Sequence, residues 1–374
     1  MEQILELLNN KLININNEVR KIALKIIGGH RITVDECITL YEKTDLSLAG
    51  LLANYIREKK NGNYTYYNKN LHIEPTNICI HNCKFCSYSK KINTDGWEYT
   101  VAEMVELVKK APAEITEVHI VGGVHPYRDI HYYGELIKEI KKARPEIHIK
   151  AFTAVEIDYM IKKAGLTLKE GVKLLKSYGL DSVPGGGAEI FDEKLRQEIC
   201  PSKSSSETWL NIHEALHNEG IPSNATILYG HLETYAQRAD HMNRLRELQD
   251  RTGGFNAFIP LKFKHKNNTM SYIKEISVIE DLKNYAIARI FLDNFPHIKS
   301  YWPMTGKQHA QLSLSFGVDD FDGTINDSTK IYSLAGSEEQ NPSMTTEEMK
   351  QLIKDAKRIP VERDSVYNII NSEE

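Results

Sequence analysis

The stretch Leu71-His-Ile-Glu-Pro-Thr-Asn-Ile-Cys79-Ile-His-Asn-Cys83-Lys-Phe-Cys86 opens as a partly apolar, extended-type run and ends with three cysteines within eight residues. It reads as a strand over 71–79 with a C-x3-C-x2-C loop at its C-terminal end. Everything downstream repeats the first half of that pattern. Apolar or β-branched runs recur at 117–123, 148–155, 180–186, 222–230, 255–263, 297–304 and 312–318. Helical patterns at 101–111, 133–143, 168–178, 209–218, 236–251 and 278–294 fill most of the gaps. Thr100 with Glu103, and Ser204 with Glu207, have the spacing of capping boxes at helix starts. Strands alternating with helices build right-handed βαβ units and a parallel sheet. Eight such units predict a closed (β/α)8 barrel of the TIM type. An open doubly wound sheet is the alternative, because strand number alone does not close a ring. In a barrel the chemistry sits at the C-terminal strand ends, and Cys79, Gly122, Gly123, Glu156, residues 184–187 and residues 229–231 all fall there.

Working outward, residues 1–69 read as a helical segment ahead of the barrel. Apolar residues recur at helical spacing through Ile4, Leu7, Leu8 and Leu12, and through Val19, Ile22, Ala23 and Ile26. Gly28 and Gly29 break the stretch and 34–43 resumes it. The barrel is expected over 70–325. A final segment, 326–374, begins its helix at Thr345 and Glu348 and continues through 346–357 into a tail, 358–370, expected to pack on the barrel and close one end.

The chain has 374 residues, 41% hydrophobic and 26% charged, the balance of a soluble globular protein. A net charge of −4 argues against nucleic acid or an anionic membrane as the main partner. No apolar run reaches the length of a membrane span, and residues 1–10 lack the basic start and apolar stretch of an export signal. A cytoplasmic location is the expectation. Five cysteines are present, and three crowded together in a reducing compartment argue for a metal site over disulfides. Cys37 and Cys200 stand alone and read as packing residues.

Thiolates are soft ligands that suit iron–sulfur clusters and zinc. A structural zinc site wants four protein ligands, and only three cysteines lie together here; His81, inside the loop, is a poor fourth. Three thiolates leave one iron of a 4Fe–4S cube without a protein ligand. A zinc-stabilised binding protein is the competing reading.

With Phe85 at the aromatic position before the third cysteine, these residues resemble the radical S-adenosylmethionine superfamily. The segments at 72–77 (His-Ile-Glu-Pro-Thr-Asn), 118–126 (Val-His-Ile-Val-Gly-Gly-Val-His-Pro), 150–157, 181–190 (Asp-Ser-Val-Pro-Gly-Gly-Gly-Ala-Glu-Ile), 224–234, 253–261 and 293–299 are similar to the aminofutalosine synthases of the futalosine route to menaquinone. The cyclases of the same pathway and the deazaflavin-cofactor synthases share part of this set. The resemblance implies a 4Fe–4S cluster on Cys79, Cys83 and Cys86, with S-adenosylmethionine consumed as co-substrate. It also implies a low-potential electron donor such as flavodoxin or ferredoxin. The implied reaction joins the 5′-deoxyadenosyl radical to 3-(1-carboxyvinyloxy)benzoate, with loss of a carboxyl group. Residues 87–91 depart from the pattern, with lysines at 90 and 91 where arginines are expected; a bidentate anion contact is lost there.

The resemblance also implies that Phe85 lies near the adenine, and Gly122 and Gly123 near the aminocarboxylate of S-adenosylmethionine. Further candidates follow from position. Glu156 either accepts hydrogen bonds from that ligand or caps a helix. Pro184, Gly185, Gly186 and Gly187 offer backbone amides to a carboxylate beside Glu189. Asn77, Thr226, Tyr229 and Glu233 are expected at the substrate. His231 and Glu189 are the candidates for proton movement or carboxylate binding. His125, Trp302 and His309 are weaker candidates, and the Tyr301–Trp302 pair reads as barrel filling.

Overall fold

The computed structural model describes residues 2–10, 15–324, 330–337, 340 and 342–372. A first stave consists of β1 (Tyr64–Asn68) and β2 (Asn70–Ile73), interrupted at Lys69. β3 (Glu117–Ile120) pairs in parallel with β2, Leu71 opposite Val118, and β4 (His148–Ala151) pairs in parallel with β3. The next stave is very short: Lys150 bridges to Ser182 and Val183 to Ser223, both in parallel. β5 (Ser223–Tyr229), β6 (Phe255–Lys262) and β7 (His297–Ile298) follow as a parallel set. Lys299 bridges to Asp320 of β8 (Asp320–Gly323), and β8 pairs in parallel with β1, Asn68 opposite Gly323. The first stave therefore has a neighbour on each side. The Asn68 carbonyl accepts from the Thr324 N–H at 3.1 Å, and the Lys69 carbonyl accepts from the Thr116 N–H at 3.0 Å. The ring closes, and the open-sheet alternative falls.

Several expected boundaries are corrected. The run 312–318 is not the eighth strand. Lys307–Ser313 is helical, with Leu312 exposed and Leu314 buried, and Gly317 turns the chain at φ +93°. The true eighth strand, Asp-Phe-Asp-Gly, has a composition that strand propensity disfavours; it survives because both aspartates find buried cations. The strand over 148–155 stops at Ala151, because Thr153 caps a helix, Ala154–Lys163, with Glu156 as its reciprocal partner. The strand over 297–304 is shorter too, since Trp302–Thr305 is a helical turn. Thr100 and Glu103 form the expected capping box, but Ser205, not Ser204, caps the helix Ser206–Asn218. The N-terminal helices are Glu2–Asn9, Asn17–Ile27, Val34–Lys43 and Leu46–Asn61; Leu12, expected in the first of them, lies outside the described residues.

Strand alternation sorts the side chains. Leu71, Ile73, Val118, Ile120, Ile149, Ala225 and Ile227 face the surrounding helices and are buried there. His72, Glu117, His119, Lys150, Asn224, Thr226, Leu228, Lys299 and Asp322 face a cavity inside the ring. At the N-terminal mouth, β9 (Ile359–Arg363) pairs in parallel with β1, and β10 (Ile369–Ser372) runs antiparallel to β9. Arg363 Nε donates to Asp320 Oδ2 at 2.6 Å, with both side chains fully buried. Tyr367 stacks on His297 at 3.7 Å between ring centroids. The tail covers this end of the barrel.

Candidate active site

The three cysteines of the loop after β2 are free thiols, each partly buried. Backbone contacts hold the loop. Cys79 N–H donates to the Lys90 carbonyl (2.9 Å), Ile80 N–H to Val124 (3.0 Å) and Lys84 N–H to Ile199 (2.8 Å). The Lys91 ammonium donates to the carbonyls of Cys79, Ile80 and His81 at 3.2, 3.3 and 2.7 Å, and Lys90 pairs with Asp95 at 3.0 Å. The two lysines are thus used within the loop. Asn77 Oδ1 accepts from the Trp97 N–H at 2.8 Å and ties down the loop's far end. It does not line the cavity.

The donor set fits a cluster. Cys86 faces the cavity, and the Val124 N–H points at Cys79 Sγ from 3.4 Å. Among the described residues no trio of His, Cys, Asp or Glu converges tightly enough for a single ion. A cube is wider than an ion and can reach three thiolates spaced around a loop. His81 is turned to Ser202, with Nδ1 3.2 Å from its hydroxyl, and burial holds the ring neutral, near pKa 4. Burial also pushes the Cys83 thiol up to about 12 and raises Cys79. A bound iron centre reverses that preference, because a coordinating thiol is deprotonated outright.

Gly122 and Gly123 end the β3 stave against this loop. A side chain at Gly123 would sit 2.3 Å from the Ile78 carbonyl oxygen, and one at Gly122 would sit 2.8 Å from that of Thr76. The glycines are needed for backbone to meet backbone. Gly122 also lines the cavity. Its N–H donates to Glu156 Oε1 at 3.2 Å, while Glu156 Oε2 accepts from the Thr153 N–H and hydroxyl, both at 2.7 Å. Glu156 is therefore a capping carboxylate that also pins the Gly122 turn. It is buried, and burial raises its carboxyl to about 7.

Phe85, Pro184, Gly185, Gly186, Gly187, Glu189 and Thr226 come together on the cavity wall as expected from their strand ends. Gly185 leaves no room for a side chain against the Asn224 carbonyl, 2.5 Å from a built Cβ. Thr226 donates its hydroxyl to the Gly185 carbonyl at 2.6 Å. Glu189 adopts φ +49° and meets Lys203 at 2.5 Å. Lys203, which sequence reasoning missed, is half-buried at the lip of the cavity, 5.3 Å from the Phe85 ring centre.

Tyr229, His231 and Glu233 do not join this group. Thr226 and Leu228 point inward, so Tyr229 points outward, and its hydroxyl donates to Asp281 beneath the helix Val278–Phe291. His231 Nε2 lies 3.1 Å from the Leu228 carbonyl, and Glu233 is engaged by Arg238 at 2.8 Å. Both line a cleft outside the barrel. Of the weaker candidates, His125 meets Glu98 at 3.3 Å and His309 meets Asp281 at 3.1 Å. Trp302 is buried, donating to the Gly323 carbonyl at 2.8 Å.

The cavity floor is polar. Lys150 and Glu117 pair at 2.5 Å, Lys299 and Asp322 at 2.7 Å, and all four are buried. Burial opposes the charge on Glu117, but the Lys150 ammonium holds the carboxyl well below the usual range. His72 and His119 stand edge to face at 4.6 Å. Burial keeps both rings neutral, with His72 near pKa 4 and His119 held well below its ordinary value. None of these floor residues was singled out beforehand. The available signal was polar residues two apart within a strand, as in Glu117 and His119, or Asp320 and Asp322.

A family model described as the radical SAM superfamily matches residues 73–245, and one described as the CofH/MqnC C-terminal region matches residues 252–374. The aminodeoxyfutalosine synthase of Thermus thermophilus is 44% identical over 352 residues, covering 92% of this chain and 94% of that one. The aminodeoxyfutalosine synthase of Streptomyces coelicolor is 39% identical over 367 residues, covering 95% of each. The cyclic dehypoxanthine futalosine synthase of the same organism is 34% identical over 359 residues, covering 94% of this chain and 88% of that one. In fold, the chain is similar to the FeFe-hydrogenase maturase HydG from Carboxydothermus hydrogenoformans, with a TM-score of 0.72 at 18% identity, covering 94% of this chain and 80% of that chain.

Proposed function

This chain belongs to the radical S-adenosylmethionine superfamily, and from that premise we propose that it joins the 5′-deoxyadenosyl group of S-adenosylmethionine to 3-(1-carboxyvinyloxy)benzoate. The product is 6-amino-6-deoxyfutalosine, an intermediate on a route to menaquinone. The observation that carries this reading is the juxtaposition of a three-thiol loop with an enclosed barrel cavity, in a chain similar over nearly its whole length to two synthases of this name.

Cys79, Cys83 and Cys86 are the ligands of a 4Fe–4S cluster. When bound, that cluster supplies the electron that splits S-adenosylmethionine into methionine and the 5′-deoxyadenosyl radical. Phe85 and the Gly122 turn border the space next to Cys86 where the nucleoside would sit, and Glu156 holds that turn in place through the Gly122 N–H. The walls at Leu228, Ile259 and Leu261 are apolar and suit an aromatic ring. Pro184, Gly185, Gly186, Gly187, Glu189 and Thr226 hold the acceptor carbon near the nucleoside. Enclosure matters because a carbon radical that waits reacts with whatever is near. The new bond forms between C5′ and the vinyl CH2 as the C=C π bond opens, leaving the unpaired electron on the neighbouring carbon. The adduct rearranges, the enolpyruvyl carboxyl group leaves as carbon dioxide or bicarbonate, and the electron taken up at the start is given back, so no net oxidant or reductant is consumed. Tyr229, His231 and Glu233 are left outside this scheme as supports of the barrel wall.

No helix of the described residues is long and apolar enough to cross a membrane. In this reading the enzyme works in the cytoplasm on a small-molecule substrate, with electrons delivered by a low-potential flavodoxin or ferredoxin. The test is anaerobic incubation of reduced, reconstituted protein with both substrates, followed by mass spectrometry. The nucleoside–benzoate adduct and free methionine are expected. Free 5′-deoxyadenosine formed in step with substrate loss, without an adduct, would identify a hydrogen-abstracting relative instead.

A further inference from the structure

The cavity has two unlike ends. Along β3, Glu117, His119 and Val121 face inward before Gly122 reaches the lip. At about 3.3 Å per strand residue, His119 lies roughly 10 Å below the lip. The lip carries Cys86, Phe85 and the glycine turns. The floor carries His72, His119, Lys150, Lys299, Glu117 and Asp322.

Two features of the floor are unexplained by packing. His119 Nε2 is buried without a hydrogen-bond partner, although its ring lines the cavity. Lys150 and Lys299 each bring three N–H donors, and each is hydrogen-bonded to one carboxylate, Glu117 at 2.5 Å and Asp322 at 2.7 Å, with Asp320 a further neighbour of Lys299 at 3.9 Å. A buried imidazole without a partner costs stability, and buried ammonium groups with donors to spare are expensive unless a further acceptor arrives.

Building on the reaction proposed above, we propose that this floor is a carboxylate pocket that receives the ring carboxylate of the benzoate substrate. The vinyl carbon must face the nucleoside at the lip, so the opposite end of the substrate points down the barrel. There Lys150 and Lys299 supply ammonium N–H donors, His119 supplies a neutral N–H, and Leu228 and Ile259 flank the ring. Glu117 and Asp322 already balance the two ammonium charges, so the ring carboxylate is held through the remaining ammonium N–H donors and the His119 N–H and not through a net positive charge. The pocket selects a benzoate over a phenyl ether of the same shape.

Binding tests this without turnover. Calorimetry on the cluster-loaded protein, without S-adenosylmethionine or reductant, would compare 3-(1-carboxyvinyloxy)benzoate with its analogue lacking the ring carboxylate. The wild type should bind the benzoate at least about tenfold more tightly, the range of a hydrogen bond to a charged group. In His119→Gln or Lys299→Gln the ratio should fall to within about threefold, with iron content unchanged. Equal affinities in the wild type would overturn the pocket with no variant required, as would a ratio unaltered in both variants. Carboxylate-dependent binding in a protein that forms no adduct would uphold the pocket and overturn the reaction.

Discussion

The two mouths of the barrel are built on opposite principles. At the N-terminal mouth the chain supplies its own partners: Arg363 pairs with Asp320 and Arg289 with Asp319, His297 also reaches Asp319, and Tyr367 lies over His297. Burial alone would disfavour both charges, but Arg363 and Asp320 hold each other ionised, the guanidinium raised and the carboxyl lowered from their ordinary values. At the C-terminal mouth the groups are left incomplete. Three thiols have no disulfide partner, glycines take the place of side chains, and the capping carboxylate Glu156 is also the anchor of a turn on the cavity. One end is completed by the chain itself, and the other is shaped to be completed by ligands. That division is the usual one in β/α barrels, stability below and chemistry above.

The largest expected effect falls at the upper mouth. Cys79→Ala, Cys83→Ala or Cys86→Ala should each remove most of the iron after anaerobic reconstitution and abolish cleavage of S-adenosylmethionine. Cys37→Ala and Cys200→Ala should keep both, as measured by iron analysis and the brown absorbance. A protein that takes up stoichiometric zinc and no iron would break the contrast at its root. Next comes the lower mouth. Arg363→Met strands Asp320 in a buried site, which costs about 3–5 kcal/mol of stability. Denaturant unfolding should show that loss, while iron per folded chain stays normal. A loss of cleavage with unchanged stability would mean that the lower mouth takes part in chemistry.

How much of this was legible in the sequence differed with position. The cysteine loop, the strand ends at Gly122 and 184–187, and the succession of strands from 71 to 298 could be read from spacing and apolar runs, but β1 at 64–68 falls in the segment read as helical and belongs to the barrel instead. The eighth stave could not, because Asp320 and Asp322 look like turn residues until Lys299 and Arg363 are placed beside them by the ring. Glu156 was correctly placed near the rim, but its strand ended sooner than apolarity suggested, since Thr153 stops it with a cap. Tyr229 and His231 were misread for a simpler reason: nearness to a strand end does not say which face a side chain takes, and the inward register of Thr226 and Leu228 turned Tyr229 out. Lys203 comes from a loop after the helix Glu193–Ile199, far in sequence from Phe85 and Glu189. Only the tertiary fold brings them together.

Smaller effects sharpen the comparison. Glu156→Gln keeps the shape of the cap and removes its charge. Cleavage should fall roughly tenfold, the range of a lost charged hydrogen bond, with the cluster intact. Unchanged cleavage would leave Glu156 as a cap alone. Burial raises this carboxyl from 4.5 to about 7, so the charge that the glutamine removes is present only above about pH 7, where cleavage is to be compared, and between 4.5 and 7 the folded chain holds the proton that the unfolded chain has released. The wild type should lose stability as pH rises from 4.5 through 7, and the glutamine variant should not show that component. Smallest of all, Thr153→Ala and Thr345→Ala each remove an N-cap and should cost about 1 kcal/mol. Only Thr153→Ala, which also frees Glu156, should slow cleavage as well; equal effects of the two on cleavage would remove the special part given to Thr153 and Glu156.

The central claim is that the upper mouth directs the adenosyl radical onto an acceptor and does not let it simply take hydrogen. The most direct measurement uses S-adenosylmethionine labelled in its ribose carbons, followed through a single incubation with the reduced enzyme and 3-(1-carboxyvinyloxy)benzoate. The label should appear in a nucleoside–benzoate adduct in step with methionine release, with free 5′-deoxyadenosine as a minor product. Label confined to free 5′-deoxyadenosine, formed in step with substrate loss, would contradict it.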